Sequence, residues 1–312
     1  MAIRTFTSKA DFDSVRATLA GDSGADTLSF AGASAQVLLE DTDFAVMNSV
    51  TNATTRFEAL VLSNYADQVT LAGSASGIGI VSVFGGIGSD RIQASTYSSN
   101  VTLSGGFGND TLLGGNGADS LDGGEEDDSL VGGSGNDSLI GRSGNDTLSG
   151  GGGADFLDGG FGNNSLVGGD GNDYYTIYSE SDTIVEALGV GTGTDSVVAN
   201  ADGVTLAANT EWLILGGGAT FGAGNATANT LVGQAGTNDS LFGDAGNDSL
   251  FGNNGTNTLD GGADNDTLVS GIGADSLVGG DANDSLVGGA GIDTFSGGEG
   301  NDVIVVAEAG DV

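Results

Sequence analysis

The chain has 312 residues, with 43 Asp and Glu against 6 Lys and Arg, a formal net charge of −37, 60 Gly, and no Pro, Cys or His. The missing residue types exclude a Ser-His-Asp triad, a His-bound zinc, a thiolate nucleophile, a disulfide and an iron–sulfur cluster, and so acidic a surface repels nucleic acid and anionic lipid headgroups. A hydrophobic content of 38% is too high for a disordered acidic tail, while the glycine content argues against helix.

Five of the basic residues (Arg4, Lys9, Arg16, Arg56 and Arg91) precede the regular part of the chain, and only Arg142 lies within it. Most carboxylates must therefore be neutralised from solvent, and hard divalent cations prefer oxygen ligands.

In chain order, residues 1–104 read as a degenerate β-solenoid with an N-terminal cap. Met1–Thr7 has no apolar core of a secretory signal, and no stretch of the chain is apolar enough to span a membrane. Residues 8–19 (SKADFDSVRATL) are expected to form a short amphipathic helix that covers the open end of the solenoid. An isolated nine-residue unit runs from Gly21 to Ser29, and one intact turn from Gly85 to Asp90. The run Glu58–Leu62 echoes Glu211–Leu215 further on.

From Gly105 to Thr176 a nonapeptide repeats eight times without insertion, beginning GGFGNDTLL, GGNGADSLD. Its eighth position holds Leu112, Leu121, Leu130, Leu139, Leu148, Leu157 and Leu166, closed by Tyr175; its sixth holds Asp, except for Asn164. Residues 177–223 lack the repeat. There, Asp182–Val185, Asp195–Val198 and Trp212–Leu215 read as strands of wider, metal-free coils with Trp212 as core filler. A second array occupies 224–312; after one ten-residue unit at 233–242 it holds register from Gly243 to Val305, with Asn257 as its exception.

The pattern has a physical reading. Glycines at the first, second and fourth positions permit positive φ and close approach of carbonyls, so the Asp at position six can share a cation with them. The last three residues form a short strand whose leucine points inward. Two nonads complete one coil, so strands recur every 18 residues at about 4.8 Å. Asp110, Asp128 and Asp146 then line one edge, and Asp119, Asp137, Asp155 and Asp173 the other. Unit charges so spaced repel by roughly 3 kcal/mol per pair at an effective dielectric of about 20. Folding should therefore require the cation.

The repeated GGxGxDxLx resembles the nonapeptide of the RTX (repeats-in-toxin) family over 105–176 and 224–305. The resemblance implies an all-β fold, a parallel β-roll or β-solenoid with multiple Ca²⁺ in its turns, and export through a type I secretion apparatus to the extracellular space or cell surface. The metal ligands it implies are Asp90, Asp110, Asp119, Asp128, Asp137, Asp146, Asp155, Asp173, Asp239, Asp248, Asp266, Asp275, Asp284, Asp293 and Asp302. Weak or vacant turns are expected at Asn164 and Asn257, where Arg142 replaces the second glycine, and where Glu126, Asp264 and Ala282 replace the fourth. The family carries a C-terminal secretion segment, whereas this chain ends at Gly310–Val312; a fragment of a longer protein, or an atypical export signal, is expected.

No catalytic residue is assigned, because a glycosidase-type carboxylate pair needs an apolar cleft that stacked turns do not supply. The expected role is a secreted structural or adhesive protein of a surface layer, sheath or filament. Its partners would be further copies of itself or a cell-surface polysaccharide, with neither nucleic acid nor membrane insertion. The alternative is the folding and export module of a larger toxin, adhesin or polysaccharide-modifying enzyme.

Overall fold

A leucine flanked by small polar or β-branched residues, repeated between glycine turns, can bury one side chain per strand and little else. The computed structural model shows that arrangement. It describes residues 3–6, 16–17, 26–30, 35–39, 47–51, 57–61, 66, 68–71, 81–95, 98–186, 193–307 and 311–312. They form parallel β-strands throughout, and none of them is helical.

The chain divides into two units, Met1–Asp170 and Gly171–Val312. In the first, alternate strands stack into two parallel sheets. One runs from Ile3–Phe6 to Ser165–Asp170 and the other from Arg16–Ala17 to Phe156–Asp158. In the second, one sheet runs from Tyr174–Ile177 to Val303–Val305, and another from Val204–Thr205 to Thr294–Glu299. Each unit is thus a β-solenoid, as the repeat predicts.

The register is the 18-residue winding. Leu103 pairs with Leu121, Leu121 with Leu139 and Leu139 with Leu157; Leu112, Leu130, Leu148 and Leu166 stack likewise in the facing sheet. In the second unit, Leu241, Leu259, Leu277 and Phe295 form one file, and Leu250, Leu268, Leu286 and Ile304 the other. The leucines are 0% exposed. At the last rung, Val303–Val305, Ile304 is 40% exposed.

Three expectations need correction or restriction. Arg16–Ala17, within the expected helix at 8–19, is a strand whose backbone pairs with Leu38–Leu39; the rest of that segment lies outside the described residues. The turn of the isolated nonad at 21–29 also lies outside them, although its strand, Asp26–Phe30, is present. Trp212 is not core. It pairs with Ser196 and Thr230 on the outer face and is 39% exposed, because strand alternation turns Leu213 and Leu215 inward instead.

Candidate metal centres

The coils stack so closely that the turn glycines divide into two kinds. Second-position Gly106, Gly124, Gly133 and Gly151 have φ between 111° and 121°, and a Cβ on Gly124 would lie 2.1 Å from the Gly106 carbonyl oxygen. First-position Gly105, Gly114 and Gly123 are absent from the positive-φ region, contrary to expectation. They are glycine for another reason. A Cβ on Gly105 would lie 2.0 Å from Asp110 Oδ2 and 2.6 Å from the carbonyl oxygen of Gly123. The same pair of oxygens converges at Gly114 (Asp119 Oδ2, 2.5 Å; Gly132 O, 2.6 Å) and at Gly261 (Asp266 Oδ2, 2.3 Å; Gly279 O, 2.6 Å). Each such turn therefore holds a small cradle lined by a carboxylate oxygen and a carbonyl oxygen.

The aspartates are held there by the backbone of the preceding coil. Asp110 Oδ1 accepts from Asp90 N at 2.6 Å, Asp128 Oδ1 from Asp110 N at 2.8 Å, and Asp146 Oδ1 from Asp128 N at 2.8 Å. On the other edge, Asp119, Asp137 and Asp155 Oδ1 accept from Val101, Asp119 and Asp137 N. Asp248, Asp266, Asp284 and Asp302 form such a ladder in the second unit, as do Asn257, Asp275 and Asp293.

Asp90, Asp110, Asp119, Asp128, Asp137, Asp146, Asp155, Asp173, Asp239, Asp248, Asp266, Asp275, Asp284 and Asp293 are at most 3% exposed, and Asp302 is half-buried. In Asp110, Asp119, Asp128, Asp137, Asp146, Asp248, Asp266, Asp284 and Asp293, Oδ2 is buried without a hydrogen-bond partner.

So many buried carboxylates strain the electrostatics. Burial pushes Asp110, Asp119, Asp146 and Asp266 up to about 6, and Asp248 up to about 7, against the pull of the N–H donors. Asp128 is pushed to about 8 by burial, with its ladder neighbours Asp110 and Asp146 adding repulsion. Their raised values mean that ionisation is costly in the metal-free fold, a cost that a cation joining them offsets.

The RTX calcium-binding nonapeptide repeat model (four copies) matches residues 84–121, 98–130, 122–157, 140–175, 149–184, 223–259, 235–268 and 269–304. These matches span more than half of the chain. The chain belongs to the RTX calcium-binding nonapeptide repeat family. No curated protein matches it. RTX repeats bind Ca²⁺, and the turns fit that ion: those of Asp110, Asp119 and Asp266 set a buried carboxylate oxygen without a hydrogen-bond partner beside a carbonyl oxygen, the hard donors calcium takes.

The RTX turns that depart from the motif satisfy themselves differently. At Gly252 the neighbouring atom is Asn257 Nδ2 rather than a carboxylate oxygen; it donates to the carbonyls of Ser270 at 3.3 Å and Asn253 at 3.4 Å. Asn164 Nδ2 takes the same place beside Gly159. Ser270 replaces a first glycine, and its hydroxyl donates to Gly288 O at 2.6 Å. Glu126, Arg142, Asp264 and Ala282 adopt φ of 74° to 81°, as their positions require; Asp244 (80°) and Asn253 (64°), which the sequence did not single out, are also in the positive-φ region. Glu126 Oε2 accepts from Gly108 N at 2.6 Å, and Arg142 makes two 2.5 Å bonds to Asp122.

Three acidic residues outside the predicted set join the ladders. Asp195 Oδ1 accepts from Asp173 N at 2.7 Å, Glu211 Oε2 from Asp195 N at 2.8 Å, and Asp311 Oδ1 from Asp293 N at 3.1 Å. Asp195 was legible in principle, since Gly191-Thr192-Gly193-Thr194-Asp195-Ser196-Val197 keeps the nonad order. Its 22-residue distance from Asp173 hid it.

Proposed function

We propose that this chain is a secreted structural or adhesive protein, a component of a surface layer, sheath or filament, that folds when it meets extracellular Ca²⁺. The observation that carries the reading is the buried file of unpartnered Oδ2 atoms in a region with one basic residue, Arg142. Such a chain is poorly able to fold where Ca²⁺ is scarce and is driven to fold where it is abundant. That difference suits unfolded passage through a type I secretion apparatus followed by folding outside the cell. The proposal includes no catalysis, in keeping with a sequence devoid of His and Cys. No helix among the described residues is long and apolar enough to cross a membrane.

Assembly with further copies would pair strand edges of the solenoid end to end; a cell-surface polysaccharide is the second class of partner. Sedimentation and electron microscopy at high protein concentration, in Ca²⁺ and in chelator, test the assembly part. Calcium-dependent oligomers or fibres are expected, and strictly monomeric particles in Ca²⁺ would discard it.

A further inference from the structure

The segment after the first array breaks the 18-residue winding, and it does so around three carboxylates. Asp173 is the sixth residue of the last nonad of that array, and the next ladder residue is Asp195, 22 positions on. The longer coil returns Glu186 to both of them. One carboxylate oxygen from each of Asp173, Glu186 and Asp195 lies within 4.8 Å of the other two, and all three residues are buried (1%, 6% and 0% exposed). Among the described residues no other three acidic side chains meet in this way.

Two further observations point to a ligand. Asp195 is fully buried, and while its Oδ1 accepts from Asp173 N, its Oδ2 has no hydrogen-bond partner. From Gly171 to Val312 the sequence contains no Lys, Arg or His, so no side chain of this unit can balance three buried negative charges. The surroundings are matched to the cluster. Tyr175 stands where the repeat places leucine, is 0% exposed, and donates its hydroxyl proton to Glu186 Oε1. A leucine at that place could not orient the glutamate.

We infer that Asp173, Glu186 and Asp195 form a divalent-cation site of the calcium class, distinct in composition from the nonapeptide turns. An intact turn offers a carboxylate oxygen with carbonyl oxygens; this site offers three carboxylates. Calcium affinity rises with the number of charged ligands, so it fills before the turns do. The segment at 177–223, which its lack of intact nonads marks as metal-free, would then contain the first site to load.

The inference rests on the calcium chemistry of the fold but fails separately from it. Native mass spectrometry counts bound Ca²⁺ in the wild-type chain, in Glu186→Gln and in Glu180→Gln, an exposed residue of the same excursion. E186Q should lose one equivalent, and E180Q none. In a Tb³⁺ titration of wild type, Tyr-sensitised emission should rise within the first equivalent, and E186Q should lose that early phase. If E186Q does not fold in saturating Ca²⁺, the wild-type Tb³⁺ titration still decides. An unchanged calcium count in folded E186Q, or no sensitised emission at the first equivalent of Tb³⁺ in wild type, would overturn the site while leaving the turns intact. A chain that takes up no calcium at all would overturn the wider reading instead.

Discussion

The acid-bearing nonapeptide turns and the amide-bearing turn at 224–232 wind on the same kind of apolar file yet close in opposite ways. Tyr175, Val197, Leu213 and Leu231 stack rung on rung, each 0% exposed, as the leucines do in the arrays. In the arrays, buried carboxylates face the turn carbonyls, and both need a cation. In the turn at 224–232, amides do that work: Asn225 Nδ2 donates to Ala207 O at 2.6 Å and to Thr210 O at 2.8 Å, and Asn229 Nδ2 donates to Thr210 O at 3.0 Å. An amide brings its own N–H and no charge, so the turn closes within the chain. The comparison separates what shapes the solenoid, the apolar file, from what makes its folding conditional, the acid at position six.

The largest effect that could break this comparison is titration. The folded-state pKa values of Asp110, Asp119, Asp146, Asp266, Asp248 and Asp128 are raised to between about 6 and about 8, above the unfolded value of about 3.9. The folded state therefore binds more protons, and without metal its stability is present at low pH and lost as pH rises from about 4 through about 8. In EGTA the chain should show most of its β signal near pH 5 and little at pH 8. With saturating Ca²⁺ the trend should reverse, because the metal needs ionised ligands. Indifference to pH in EGTA would contradict the assignment of the buried carboxylates.

Two glycines of one turn give the next largest effect. A Cβ on Gly150 would lie 2.2 Å from Asp155 Oδ2, whereas one on Gly152 meets nothing within 4 Å. Gly150→Ala should destabilise the calcium-loaded protein by about 1–3 kcal/mol, the usual cost of overpacking, and weaken calcium at that turn. Gly152→Ala should shift the melting midpoint little. Equal shifts for both in thermal melts would deny the cradle.

A gain-of-site exchange sharpens the same contrast. Asn257→Asp replaces Nδ2 with an oxygen facing the Ser270 carbonyl; it should raise the calcium count by one in native mass spectrometry and make that turn more dependent on Ca²⁺. An unchanged count would show that a sixth-position acid is insufficient. The smallest effect belongs to Trp212→Ser on the outer face, which should change stability by less than about 1 kcal/mol, while Leu213→Ala beside it should cost about 2–5 kcal/mol. Denaturant melts in Ca²⁺ compare the two.

Much of the fold was legible because nonapeptide spacing makes position carry meaning. Leu139 had to point inward and Asp137 had to sit at a turn, since each has an equivalent one coil before and after. Where the period breaks, that inference stops. Glu186 lies in a stretch without repeats, and only the folded path brings it to Asp173 and Asp195. Trp212 was misplaced because hydrophobicity alone does not give the phase of a strand; its pairing with Ser196 and Thr230 does. The first glycine looked like its neighbours in sequence, and the Oδ2 atom above it comes from the aspartate five residues on, brought back by the folding of the turn.

The most direct measurement is a calcium titration of the whole chain at neutral pH, starting in excess EGTA and followed by far-UV circular dichroism. The account predicts a coil-like spectrum without metal and a cooperative rise in β structure as Ca²⁺ is added, with Mg²⁺ a poor substitute because it demands tighter octahedral geometry. A full β spectrum in excess EGTA, unchanged by calcium, would contradict it.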